Sequence, residues 1–153
     1  MKKLLGLASA LLLFCFICLA DVPVNEISRE QVFSAGPEWL ANYETYKPDP
    51  VRIEALKSKL GEKLSVDIYL GLWCSDSRNN VPPFLKILDA AGVSIPVRLF
   101  NVQRKPVKTI RFFSDKYQVE RVPTIIFYRG ETEIGRIVEN PNTSLIEDMI
   151  AIL

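Results

Sequence analysis

Residues 66–88 read VDIYLGLWCSDSRNNVPPFLKIL, and the fold turns on how this stretch is read. Upstream of Cys74, apolar Leu64, Val66, Ile68, Leu70 and Leu72 alternate with Ser65, Asp67, Tyr69 and Gly71. A period of two with β-branched and aromatic members predicts a strand. Downstream, Phe84, Leu85, Ile87, Leu88 and Ala91 share one helical face. Cys74 therefore stands where a strand gives way to a helix, facing unpaired backbone N–H groups and the positive end of the helix dipole. Thiols in such positions ionise at roughly pH 3.5–7.5 instead of about 8.5, so the position predicts an activated nucleophile.

The chain has 153 residues, 48% of them hydrophobic and 24% charged, which is enough for one domain with a substantial core and too apolar for disorder. It contains no histidine, which excludes His-assisted catalysis and argues against a zinc or copper site; no metal is expected. A formal charge of +1 supplies no electrostatic reason to bind nucleic acid.

Residues 1–20 read as a signal peptide: basic Lys2 and Lys3, a charge-free run from Leu4 to Ala20, and small residues at Cys18 and Ala20 before Asp21. The expected destination is a bacterial periplasm; an uncleaved N-terminal anchor is the competing reading, the run being at the short limit for a span. With Cys15 and Cys18 removed, the mature chain would own one thiol, Cys74, and form no internal disulfide.

The rest divides into a helical N-terminal extension, residues 21–48, and a domain over residues 49–153. In the extension Phe33, Trp39, Leu40, Tyr43 and Tyr46 are packing anchors. Asp49 and Pro50 open a helix expected to reach about Leu60 and end at Gly61. Pro96–Val102 is predicted as a second strand, Ile110–Tyr117 as a short helix, and Thr124–Tyr128 with Glu133–Val138 as an antiparallel hairpin. Ser144 with Glu147 makes a capping box for a last helix. Two readings of Arg104, Lys105, Lys108 and Arg111 stand: a solvated basic loop, or an anion site beside the thiol. The order predicts an α/β fold whose mixed central sheet combines a parallel pair with a C-terminal antiparallel hairpin, flanked by helices.

Four features in order resemble the thioredoxin family: an apolar strand running into Trp73-Cys74, the Cys-x-x-Ser spacing of Cys74 and Ser77, Pro82 five residues further on, and Val122-Pro123-Thr124 leading into a strand. The resemblance covers about Val51 to Leu153 and implies a thioredoxin-like fold with thiol–disulfide chemistry at Cys74. It implies a cis bond before Pro123, with Val122, Pro123 and Thr124 holding a substrate backbone and Trp73 shielding the sulfur. Pro82 would kink the helix; alternatively Pro82-Pro83 marks a late helix start.

Two departures from the family pattern matter. Ser77 replaces the resolving cysteine, so a mixed disulfide on Cys74 needs an external thiol, glutathione or a partner dithiol protein, for release. Ser77 is expected to donate to the thiolate. Ile68 stands where many thioredoxins carry a buried Asp, with Asp67 on the opposite face of the strand. Asp76 then has two readings, a proton acceptor in place of that Asp or a favourable charge at the helix N-terminus, and Arg78 two more, a partner for Asp76 or a solvated charge. The expectation is an exported monothiol oxidoreductase or isomerase acting on thiol- or disulfide-containing proteins, with no resident cofactor. The alternative from another class is a non-catalytic thioredoxin-fold module that binds peptides or proteins. A peroxide-reducing enzyme is the weakest reading.

Overall fold

The computed structural model describes residues 25–105 and 113–153. Strand β1 (Glu26–Ile27) leads into α1 (Arg29–Phe33), α2 (Pro37–Thr45) and α3 (Pro50–Lys57). Then come β2 (Leu64–Leu70), α4 (Ser75–Ala91), β3 (Val97–Asn101) and a helical turn, α5, at 113–117. The hairpin β4 (Thr124–Arg129) and β5 (Thr132–Val138) and the helix α6 (Leu145–Ile152) complete the order.

The five strands lie in the order β1-β3-β2-β4-β5. β2 and β3 are parallel, with Val66 opposite Val97 and Leu70 opposite Asn101, while β4 runs antiparallel to both β2 and β5. This is the thioredoxin-like arrangement: a mixed sheet with a parallel pair and a C-terminal hairpin, flanked by helices.

β2 is central, and alternation sends its side chains to two cores. Val66, Ile68 and Leu70 meet Phe84, Leu85 and Ile87 of α4, Leu56 of α3 and Met149 of α6. Tyr69 turns the other way, onto Phe100, Val102, Phe113, Val119 and Ile126. The "polar" phase of β2 is therefore buried too. Asp67, 3% exposed, is held on that face by Arg98 through hydrogen bonds of 2.7 and 2.6 Å. A carboxylate taken out of water requires such a partner.

Local chemistry sets the helix starts. Asp49 accepts from the Val51 N–H (2.8 Å) ahead of Pro50, and Ser144 accepts from the Glu147 N–H (3.3 Å). Gly92, at φ +64°, ends α4 in a left-handed conformation that costs glycine nothing.

The structure corrects several expectations. Residues 25–48 carry the helices α1 and α2, and they also join the sheet and core of the rest of the chain, which the sequence did not announce. β1 pairs antiparallel with β3, Ile27 opposite Leu99, and Ile27, Val32 and Trp39 belong to the same core as α4. A two-residue strand leaves no periodicity to read. α3 ends at Lys57, with Ser58 as its cap, short of Leu60 and Gly61. α4 begins at Ser75 and continues through Pro82 and Pro83, so the prolines do not mark a late start. Pro82 has no N–H for the carbonyl of Arg78, one turn back. Asn42 of α2 fills that vacancy, its Nδ2 donating to the Arg78 oxygen at 2.9 Å. The expected signal segment with Cys15 and Cys18, and Lys108 and Arg111 of the basic loop, lie outside the described residues.

Candidate functional site

Cys74 is the N-cap residue of α4, in extended conformation, its N–H donating to the Gly71 carbonyl at 2.9 Å and its carbonyl accepting from Arg78 N–H at 3.1 Å. The side chain is half-buried. Its sulfur accepts no hydrogen bond from the first turn of α4; instead the thiol donates to the carbonyl of Val122 at 3.2 Å. A carbonyl is an acceptor only, so this contact belongs to the protonated thiol, and a thiolate would have to give it up.

Ser77 lies one turn further on and is fully buried. Its hydroxyl oxygen accepts from the Gly71 N–H at 3.1 Å. The expected hydrogen bond from Ser77 to the sulfur is not the one formed; Ser77 ties the end of the strand to the helix. Gly71 thus has its N–H on Ser77 and its carbonyl on Cys74. A Cβ there would lie 2.8 Å from Trp73 Cε2, so only glycine admits the indole this close. Trp73 is half-exposed (50%), and its Nε1 donates to the Val102 carbonyl at 2.9 Å. The Arg104 guanidinium stacks 5.3 Å from the ring centre.

The opposing loop carries the cis Val122–Pro123 bond. Three contacts shape it: the Glu139 N–H donates to the Pro123 carbonyl (2.7 Å), Arg121 pairs with the Glu139 carboxylate (2.7 Å), and the Thr124 hydroxyl donates to the Arg121 carbonyl (2.7 Å). Thr124 is buried, so its side chain holds the loop and cannot face a substrate. Pro123 is buried as well, while Val122 is half-exposed. Asn80 of α4 reaches across to the Glu139 carbonyl (2.9 Å), joining the thiol's helix to the loop's support.

Trp73, Cys74, Asp76, Arg121, Val122 and Glu139 line an open cleft of about 340 Å³, together with Val102, Val119 and Glu120. Asp76 faces this cleft from the first turn of α4, where its charge also suits the helix N-terminus. Among the described residues no ion pair joins it to Arg78, whose backbone carbonyl serves Asn42. Ile68 is fully buried in the core beneath α4, and Asp67 is engaged with Arg98 on the far face of the sheet. Among the described residues no three potential metal ligands converge.

Arg121, Glu139, Glu120 and Asn80 were not identified as site residues from the sequence. Glu139 reaches the site through strand pairing: Thr124 lies opposite Val138, so the residue after β5 falls beside the residue before β4.

No family model matches the sequence, and no curated protein matches it. Among solved structures, the chain is similar to a Pseudomonas aeruginosa protein of unknown function, with a TM-score of 0.59 and 16% identity over 82% of this chain and 84% of that one. It is also similar to an HIV epitope-scaffold, with a TM-score of 0.57 and 14% identity over 82% and 85%. A weaker likeness, TM-score 0.42 with 19% identity over 65% and 82%, is to thioredoxin O2 from Arabidopsis thaliana in its oxidised state. What the chain shares with the first two, at these identities, is the fold.

Proposed function

We propose that the chain is a monothiol thiol–disulfide exchange protein. The observation that carries the reading is the placement of Cys74, half-exposed at the start of α4 and facing the cis Val122–Pro123 loop across an open cleft. The Cys74 thiol loses its proton to solvent or to Asp76 and leaves the Val122 carbonyl. Its sulfur attacks one sulfur of a disulfide; a new S–S bond forms, the old one breaks, and the other half departs as a thiolate. Ser77 carries no sulfur, so a second thiol, glutathione or a partner dithiol protein, attacks the mixed disulfide and returns Cys74 to the reduced state. Such a cycle suits isomerisation, or the removal of mixed disulfides from protein substrates. Freeing the Val122 carbonyl would also open a backbone acceptor to an extended peptide. Residues 1–20 would direct the protein out of the cytoplasm, to a bacterial periplasm, or hold it there by an uncleaved anchor.

One observation favours the second reading, a non-catalytic peptide- or protein-binding module: the sulfur is engaged by a carbonyl and not by the helix N–H groups. The test is mixed-disulfide formation with 2-hydroxyethyl disulfide, followed by mass spectrometry, with Cys74→Ala as blank. Wild type is expected to gain one mercaptoethanol adduct and to lose it on adding glutathione. Ser77→Cys is expected to close an internal disulfide, losing two hydrogens, and to turn over a dithiol donor. A wild-type thiol that stays unmodified while the denatured chain reacts would leave the binding module standing.

A further inference from the structure

Resting on that reading, we propose that the cleft selects thiols and disulfides that carry positive charge beside the sulfur. Three carboxylates, Asp76, Glu120 and Glu139, and one guanidinium, Arg121, line the cleft that holds the thiol. Arg121 is spent on Glu139 at 2.7 Å. Asp76 and Glu120 have no ion-pair partner among the described residues. The helix N-terminus offsets about half a charge of Asp76. Among the described residues the cleft lining is therefore net negative although the whole chain carries a formal +1, so this acidity is local to the place where substrate must sit. Arg104 is stacked on the ring of Trp73, a cleft-lining residue, but does not itself line the cleft, and neither does Arg78, two residues from Asp76. An ammonium or guanidinium next to the reacting sulfur meets unpaired carboxylates. A carboxylate there meets like charge.

The exchange step itself is unchanged: the Cys74 sulfur displaces one half of the disulfide as a thiolate. Charge alters how often the disulfide reaches the sulfur and how stable the mixed disulfide is. At low ionic strength, about 0.01 M, the Debye length is about 30 Å, and unpaired surface charges within it shift such rates by about tenfold.

The test compares second-order rates of the purified protein with cystamine (cationic), 2-hydroxyethyl disulfide (neutral) and dithiodiglycolate (anionic). Each rate is divided by that of a neutral cysteine derivative with the same disulfide. The expected cystamine-to-dithiodiglycolate ratio is about tenfold at low salt, narrowing to about twofold in high salt. Asp76→Asn with Glu120→Gln should lower the ratio, and Arg121→Gln, which strips Glu139 of its partner, should raise it. A parallel pair of cysteine peptides flanked by lysine or by glutamate separates a peptide preference from one for small cationic thiols. A ratio within twofold of one, with normal reaction of the neutral disulfide, overturns the charge selection and leaves the exchange reading intact. A preference that salt does not weaken also overturns it. Absence of reaction with the neutral disulfide overturns the exchange reading itself.

Discussion

Gly71 bears more of the site than its size indicates: its N–H is held by Ser77, its carbonyl takes the Cys74 N–H, and the Trp73 ring lies against its α-carbon. Gly71→Ala places a methyl 2.8 to 3.1 Å from three indole atoms, two of them in the fused ring and one the nitrogen that donates to Val102. The indole must leave that carbonyl, and overpacking of this kind costs about 1–3 kcal/mol. Urea unfolding should show the loss, and Trp73 fluorescence should change as the indole leaves the Val102 carbonyl. Unchanged stability with unchanged Trp73 fluorescence would mean that the indole packing does not depend on Gly71. At this scale Cys74 was legible because its position depends only on where a strand ends and a helix begins. The sulfur's partner was not, since Val122 lies 48 residues away in the chain.

Besides their packing, α1 and α2 share one polar anchor on α4, the carboxylate of Asp89. Asp89 accepts from Arg29 of α1 at 3.0 Å and from the Tyr43 hydroxyl of α2 at 2.6 Å, while Lys86 sits 4.6 Å over the Tyr43 ring. The hydrogen bond from Arg29, followed by that from Tyr43, holds the Asp89 carboxyl below its ordinary 3.8. A carboxylate with a depressed folded-state pKa contributes stability above its unfolded value that is lost as pH falls through the folded one. Asp89's contribution is therefore whole above about pH 4 and disappears below it. Asp89→Asn should lower stability at pH 7, by an amount kept small by solvent because the pair is surface-exposed. The same variant should flatten the pH dependence of unfolding below about pH 4. An equal acid slope in both proteins would show that Asp89 does not fasten α1 and α2. Asn42 does for α2 what no helix pattern announces. It closes the carbonyl that Pro82 orphans, and a proline's missing bond is visible in sequence while its substitute donor is not.

Over the whole molecule, the elements on both sides of residue 49 share one sheet, and Trp39, at 2% exposure, packs into the core around α4. A chain starting at residue 49 would lose β1, leave β3 an open edge and expose the surface of α4 that α2 covers. Truncating a buried Trp to Ala alone costs about 3–5 kcal/mol, a large part of a domain's stability of about 5–15 kcal/mol. The prediction is a single cooperative urea transition, by far-UV circular dichroism, for a chain starting at residue 25, and none for one starting at 49. A cooperative transition in the shorter chain would support a domain boundary at 48. By itself the sequence determined what depends on near neighbours: the alternation of β2, the caps at Asp49 and Ser144, the helix after Cys74 and the hairpin from Thr124 to Val138. It also carried the resemblance that led to a cis bond before Pro123. Only the tertiary structure decided which groups meet. Ser77 serves Gly71 and not the sulfur, Thr124 turns inward, Glu139 stands over the cis loop, and residues 26–27 extend the sheet. The physical reason is range. Periodicity and capping act within about four residues along the chain, whereas these contacts follow from strand register and helix docking, which bring together groups far apart in sequence.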